Sequence, residues 1–258
     1  MTIQHILVSN DDGAYAPGLL VLAKKLAEIA DVTVVAPDRN RSGSSSALTL
    51  DQALYPTYRT NQFISVKNGT PADCVRLAFA GLFNAEKKFD LVVSGINKSA
   101  NLGEDVFYSG TVGAAMEGRR FNTPALAVSL HGIASVYYAT AAEITQRLIL
   151  MFGEFLLKSK AVLNINVPDL PLTELLEPWA ITRLGKRHLP DRIVPTRDAD
   201  GSLAYRIGQA SLEQDAQPGT DFYAINQKRV SITPLQLDVT DYLTLQQWCD
   251  PMNVSVSE

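Results

Sequence analysis

The stretch from residue 5 to residue 36 restricts the fold more than any other part of the chain. It runs His5-Ile6-Leu7-Val8-Ser9, a Gly/Pro turn, a helical stretch from Leu19 to Ala30, then Val32-Thr33-Val34-Val35-Ala36. Within the helical stretch Leu19, Leu22, Leu26 and Ile29 recur at helical spacing, while Lys24, Lys25 and Glu28 fall on the other face. A helix of this kind buries one side only, as it does when laid on a sheet. The flanking strands are apolar runs, which suits a parallel sheet covered on both faces. The unit is therefore βαβ, and the chain belongs to the α/β class.

The same rhythm continues to residue 167. A second helix opens at Thr70-Pro71-Ala72-Asp73, where Thr70 caps, Pro71 suits the first turn and Asp73 reaches back to the capping residue's amide. Asp90 to Ser94 reads as a buried strand, a helix begins near Ser109-Gly110-Thr111 and runs to about Arg120, Pro124 to Leu130 reads as a strand, Ser135 to Lys158 as a long helix and Ala161 to Val167 as a further strand. Residues 37–50 carry Arg39, Asn40, Arg41, Gly43 and four serines, too polar for a core element, and read as a working loop. After residue 184 the pattern changes, which divides the chain into a core (1–184) and a C-terminal extension (185–258) holding a hairpin arm and a terminal helix. Ile193 to Gln209 reads as the hairpin, turning at Asp200-Gly201. Its alternating Leu203, Tyr205 and Ile207 bury one face only against something else, because a lone hairpin is marginal in water. The expected partner surface is a neighbouring subunit.

Composition narrows the function. With 23 Lys+Arg against 27 Asp+Glu and a net charge of −4, the chain lacks the broad basic field that duplex nucleic-acid binding requires. The first apolar run is followed at once by Asn10-Asp11-Asp12, so it does not read as a signal-peptide core, and no stretch approaches the ~20 apolar residues of a membrane span. Cys74 and Cys249 match no metal spacing and read as reduced. A cytoplasmic protein without membrane partners is the expectation. His5, His131 and His188 are scattered, which argues against a His-rich zinc site. No Walker loop, G-x-G-x-x-G turn or G-x-S-x-G elbow occurs.

What remains is a set of strand-end loops. Ser9-Asn10-Asp11-Asp12-Gly13 ends the first strand, and ligands of an open parallel sheet sit beyond the carboxyl ends of its strands. Adjacent carboxylates repel unless a cation lies beside them, and oxygen donors select a hard one, Mg²⁺, Mn²⁺ or Ca²⁺. Ser42 and Asn97 follow two other candidate strands and add oxygen donors. Tyr108-Ser109-Gly110-Thr111 leads into a helix whose exposed amides suit phosphate. Each piece has a plain alternative: the two aspartates as caps, Ser42 and Asn97 as turn residues bonding their own backbone, Ser109 as an ordinary N-cap.

Taken in order, Ser9-Asn10-Asp11-Asp12-Gly13 with Ala16-Pro17-Gly18, Val35 to Gly43, Gly69-Thr70-Pro71-Ala72-Asp73-Cys74-Val75, Val93-Ser94-Gly95-Ile96-Asn97, Asn101-Leu102-Gly103 and Tyr108 to Val112 resemble the SurE family of survival-protein nucleotidases. The likeness continues through Leu163 to Pro168, Gly219-Thr220-Asp221 and Ser231 to Leu235. It implies a Rossmann-like, mostly parallel sheet with helices on both faces, and a C-terminal portion exchanged between subunits of a dimer or tetramer. It further implies a 5′-nucleotidase, a metal-dependent phosphomonoesterase that hydrolyses nucleoside 5′-monophosphates by metal-activated water, with 3′-monophosphates left open. One divalent ion per subunit falls on Asp11, Asp12, Ser42 and Asn97, with Asp11 and Asp12 also catalytic. Phosphate falls on Asn10, Asn101, Ser109, Gly110 and Thr111. The chain departs from the pattern at Tyr15 and at Lys98-Ser99-Ala100. The same loops also suit a short-chain exopolyphosphatase, or a sensor that holds a nucleotide without turning it over.

Overall fold

The structure is a computed structural model that describes residues 3–83, 87–132, 134–188, 193–207 and 212–252. Its strands are β1 (His5–Ser9), β2 (Asp31–Pro37), β3 (Tyr55–Thr60), β4 (Phe63–Lys67), β5 (Leu91–Asn97), β6 (Ala125–His131), β7 (Val162–Pro168), β8 (Leu176–Ile181), β9 (Lys186–Arg187), β10 (Val194–Arg197), β11 (Leu203–Arg206), β12 (Glu213–Asp215) and β13 (Arg229–Leu235). The helices are α1 (Pro17–Leu26), α2 (Pro71–Leu77), α3 (Gly110–Arg120), α4 (Tyr138–Lys158), α5 (Asp221–Asn226) and α6 (Tyr242–Met252). The principal sheet has the order β3-β4-β2-β1-β5-β6-β7-β13-β8. From β4 through β7 every neighbouring pair is parallel.

Strand β1 explains this arrangement. Its even-numbered Ile6 and Val8 face one apolar cluster with Leu19, Leu22 and Leu26 of α1 and Ile144 and Leu148 of α4. Leu7, pointing the other way, joins a second cluster with Val75 of α2 and Val112 and Ala115 of α3. Both faces are covered, so the strand reads as an unbroken apolar run. The chain leaves β1 toward β2 on one side and later returns as β5 on the other, with Ser9 paired to Ser94. That reversal is the switch point at which a doubly wound sheet opens a crevice.

Helix α1 starts in contact with this crevice. A Cβ on Gly18 would lie 2.1 Å from the carbonyl oxygen of Ile96 and 2.9 Å from the Tyr138 ring, so only glycine lets the helix sit against the end of β5. The helix ends at Leu26, four residues short of the stretch predicted from periodicity, and Ile29 still packs on the core from the following turn. Helix α2 carries the expected capping box between Thr70 and Asp73. The same groups fasten the polar loop: the Asp73 carboxylate accepts the Thr49 N–H (3.1 Å), and the Thr70 hydroxyl donates to Ala47 O (2.7 Å). On its other side the loop donates the Ser45 hydroxyl to Phe107 O (2.7 Å) at the approach to α3.

The chain after residue 184 is not confined to an extension. Strand β13 inserts between β7 and β8, antiparallel to the first and parallel to the second. Val230 and Ile232 join the core, while the buried Ser231 and Thr233 hydroxyls both meet the Thr182 hydroxyl, at 2.9 and 2.7 Å. Those alternating hydroxyls dilute the apolar signal and conceal the strand in the sequence. Strands β10 and β11 form the expected hairpin with Gly201 at φ +87°. Leu203, Tyr205 and Ile207 stand exposed; residues 208 and 209, the end of the predicted hairpin, lie outside the described residues.

Replacing Gly18 by Ala forces a backbone contact far inside van der Waals distance, and overpacking of this kind costs about 1–3 kcal/mol. Urea unfolding of Gly18→Ala is expected to show a lower midpoint with an unchanged slope.

Candidate functional site

The loop after β1 sends its polar side chains in three directions. Asn10 is fully buried and spends its amide on the turn, donating Nδ2–H to Gly13 O (3.0 Å) and accepting the Gly13 N–H at Oδ1 (3.3 Å). It shapes the loop and is not among the residues that line the cavity. Gly13, at φ +109°, completes the turn.

Asp11 points at the N-terminus of α3. Its Oδ1 accepts the Thr111 hydroxyl at 2.5 Å, and the Thr111 backbone N–H supports the same carboxylate. A Cβ on Gly110 would come within 2.8 Å of Asp11 Cβ, so the absent side chain lets the helix end approach the carboxylate. Burial pushes the Asp11 pKa above the usual carboxylate range, the Thr111 hydroxyl opposes that shift, and the neighbouring Asp12 charge adds to it. Thr111 therefore orients Asp11; it is fully buried.

Asp12 points toward the end of β5. Its Oδ2 accepts the Lys98 N–H at 3.1 Å, and its Oδ1 is buried with no hydrogen-bond partner. Burial raises its pKa as well, against the Lys98 N–H and the Lys98 charge. Two adjacent carboxylates made unfavourable by burial, one with an orphaned oxygen, form a place that a cation relieves.

Asp11, Ser42, Asn97, Asn101 and Ser109 come together on the wall of one cavity of about 700 Å³, with Lys98, Tyr108, His131 and Arg187. Asp12, Gly110 and Thr111 adjoin these residues in the chain without lining the cavity themselves. Ser42 sits in an Asx turn, its N–H donated to Asn40 Oδ1 (2.7 Å), and its loop is anchored to the loop after β1 by Arg41 N–H on Asp11 O (2.7 Å). Asn97 commits its Nδ2 to Ser99 O (2.6 Å), and its amide oxygen is the kind of donor a hard cation takes. Ser109 caps α3, its hydroxyl accepting the Val112 N–H at 3.1 Å.

Asn101 is set by residues that the sequence did not single out as site residues. Its N–H donates to Asn166 Oδ1 (2.8 Å), its carbonyl accepts from Asn164 and Asn166 (2.8 and 3.1 Å), and its own Nδ2 donates to the Ser129 hydroxyl (2.8 Å). The signal was available: two asparagines alternate along a buried strand, where an amide is costly unless it is bonded. The opposite wall comes from beyond residue 184. The Arg187 guanidinium makes a paired contact with Asp105 (3.0 and 2.6 Å) and lies 4.9 Å over the Phe222 ring. The Asp221 carboxylate accepts N–H groups from Gly103 (2.8 Å), Gly185 (2.8 Å) and Phe222 (2.9 Å), which ties that wall to the loop after β5.

Among the described residues no three His, Cys, Asp or Glu side chains gather as a metal cluster. The available set is two carboxylates with neutral hydroxyl and amide oxygens, and with the orphaned Asp12 Oδ1 it fits a hard divalent cation.

Fold and site define a doubly wound α/β protein whose polar residues converge at the switch point of its sheet. The model of the family described as Survival protein SurE matches residues 6–191. The chain is 50% identical over 245 residues to a protein of Alkalilimnicola ehrlichii named 5'-nucleotidase SurE, covering 95% of this chain and 94% of that one. It is 52% identical to the protein of the same name from Nitrosococcus oceani, covering 94% and 95%. The crystal structure of the SurE protein from Aquifex aeolicus superimposes with a TM-score of 0.82 at 37% identity, covering 96% of this chain and 99% of that one. The chain belongs to the SurE family.

Thr111→Val removes the only side-chain donor that Asp11 has among the described residues. The expected outcome is a stability loss of about 1–3 kcal/mol. Urea unfolding of the purified variant measures it.

Proposed function

We propose that this chain is a 5′-nucleotidase that hydrolyses nucleoside monophosphates to nucleoside and inorganic phosphate with the help of one divalent cation, Mg²⁺ or Mn²⁺. The observation that carries the reading is the carboxylate pair: Asp11 held at the N-terminus of α3, and Asp12 beside it with a buried, unpartnered oxygen. The names borne by the Alkalilimnicola and Nitrosococcus relatives supply the substrate class.

Asp11, Asp12, Ser42 and Asn97 would hold the cation. When bound, it supplies positive charge against the phosphoryl oxygens and activates water. The chain's own residues do the rest. Ser109, the Gly110 amide and Asn101 hold the non-bridging oxygens at the helix end, where charge builds in the transition state. Thr111 keeps Asp11 in register, and Asn10 shapes the turn that separates the two carboxylates. Water adds to phosphorus as the ester oxygen leaves, so the products are an alcohol and phosphate. The 3′-monophosphates present the same group to the same residues and are included in the substrate panel.

Phosphate release by wild type and by Asp11→Asn, from nucleoside 5′- and 3′-monophosphates and from tripolyphosphate, tests this reading in chelator and then with Mg²⁺ or Mn²⁺. Metal-restored hydrolysis of nucleotides is expected, reduced more than about 100-fold by the substitution, beyond the loss of an outer contact. Preference for tripolyphosphate would make the chain a polyphosphatase. Nucleotide binding without turnover would make it a sensor.

We also infer self-association through the C-terminal hairpin, whose exposed Val194, Leu203, Tyr205 and Ile207 have no core to join in the single chain. Sedimentation equilibrium at micromolar concentration is expected to show a species heavier than 28.1 kDa. A clean monomer would remove this part. Both cysteines are free, and no described helix is long and apolar enough to cross a membrane.

A further inference from the structure

Lys98 follows Asn97 directly at the end of β5, and its main chain is fixed on both sides. Its N–H donates to Asp12 Oδ2 (3.1 Å), and its carbonyl accepts the Ser135 hydroxyl (2.5 Å). The side chain lies on the wall of the cavity, about half exposed, and its Nζ stops 3.9 Å from Asp12 Oδ1. That distance is too long for a hydrogen bond, and the oxygen is otherwise unpartnered. One ammonium thus stands beside the carboxylate oxygen assigned to a divalent cation and on the surface assigned to a phosphate dianion. The other cationic side chain on this wall, Arg187, is matched by Asp105 and covered by Phe222.

A positive charge in this position acts with opposite sign on the two ligands. It competes with a metal ion for Asp12 and attracts a phosphate. Both effects are modest, because a half-exposed ammonium is screened by solvent and salt. Its four-carbon stem lets the charge move several ångströms while the pinned main chain stays still.

We propose that Lys98 is a selectivity residue that couples the two ligands: it neutralises Asp12 before the cation arrives, and on displacement turns to the substrate phosphate. This rests on the nucleotidase reading above. Lys98 then sets a weaker intrinsic metal affinity and a tighter hold on the dianion, and by linkage phosphate must strengthen metal binding to the same degree that metal strengthens phosphate binding.

The test is Mn²⁺ binding followed by electron paramagnetic resonance, with and without inorganic phosphate, for wild type, Lys98→Met and Lys98→Arg, beside KM for a nucleoside monophosphate. The exposed side chain and unchanged main-chain contacts leave the fold intact. Lys98→Met is expected to bind Mn²⁺ about 3–10-fold more tightly without phosphate, to lose a similar factor of the phosphate-induced tightening, and to raise KM about 3–10-fold, as one screened charge allows. Lys98→Arg is expected to stay within about twofold of wild type, because it keeps the charge. If Lys98→Met moves the two affinities in the same direction, or moves neither, the proposal is wrong while the nucleotidase reading stands. A wild-type protein that binds no Mn²⁺ removes both.

Discussion

Two carboxylates on consecutive residues, one buried and the other half-buried at the edge of a cavity, repel one another and lose hydration together. The surroundings of Asp11 and Asp12 are arranged around that cost. Thr111 and the start of α3 meet one carboxylate; the main chain at the end of β5 meets the other. For the helix to come so close, residue 110 must be glycine, and for β5 to lie beside α1, residue 18 must be glycine. The loop from 37 to 50 closes the third side, and it holds its path through hydrogen bonds to the cap of α2 and to the approach of α3. Loops from three neighbouring strands are thus fixed by contacts to the sheet's own helices, which is how an irregular site acquires a rigid frame.

Much of the frame was legible in the sequence because it rests on local chemistry. Apolar runs without alternation announce strands buried on both faces, and Thr70-Pro71-Ala72-Asp73 announces a helix start; both are present. Asp11, Ser42, Asn97 and Ser109 were readable as a set because they share one structural address, the end of a strand or the start of a helix, whereas Asn101 came only with the family resemblance. Roles within the set were harder to read. Asn10 and Thr111 are the right residue types for holding phosphate, yet in the fold one bonds its own turn and the other bonds Asp11. Sequence gives the type of donor; which acceptor it meets depends on packing.

The rest was hidden by long-range pairing. Strand β13 carries alternating hydroxyls that look like surface but meet Thr182 across the sheet, some fifty residues away, and α5 is a single short helix whose Asp221 and Phe222 brace the cavity from behind. Gly103 and Gly185 both pack against the Phe222 ring, so the loop after β5 and the chain beyond β8 share one support. The predicted division at residue 184 therefore separates the hairpin from the sheet but cuts through the cavity wall.

Placing β13 between β7 and β8 also orders the birth of the molecule. Synthesis proceeds from the N-terminus, and domains fold as units as they emerge. Strand β8 pairs with β13 in the principal sheet, so when residues 176–181 leave the ribosome their partner has not yet been made. Until residues 221–226 follow, α5 is missing and the far wall of the cavity has no backing, and until residues 229–235 follow, β7 presents an unpaired edge. A nascent chain can wind the first half of its sheet early, but the cavity is complete only once α5 has been made and has packed behind it.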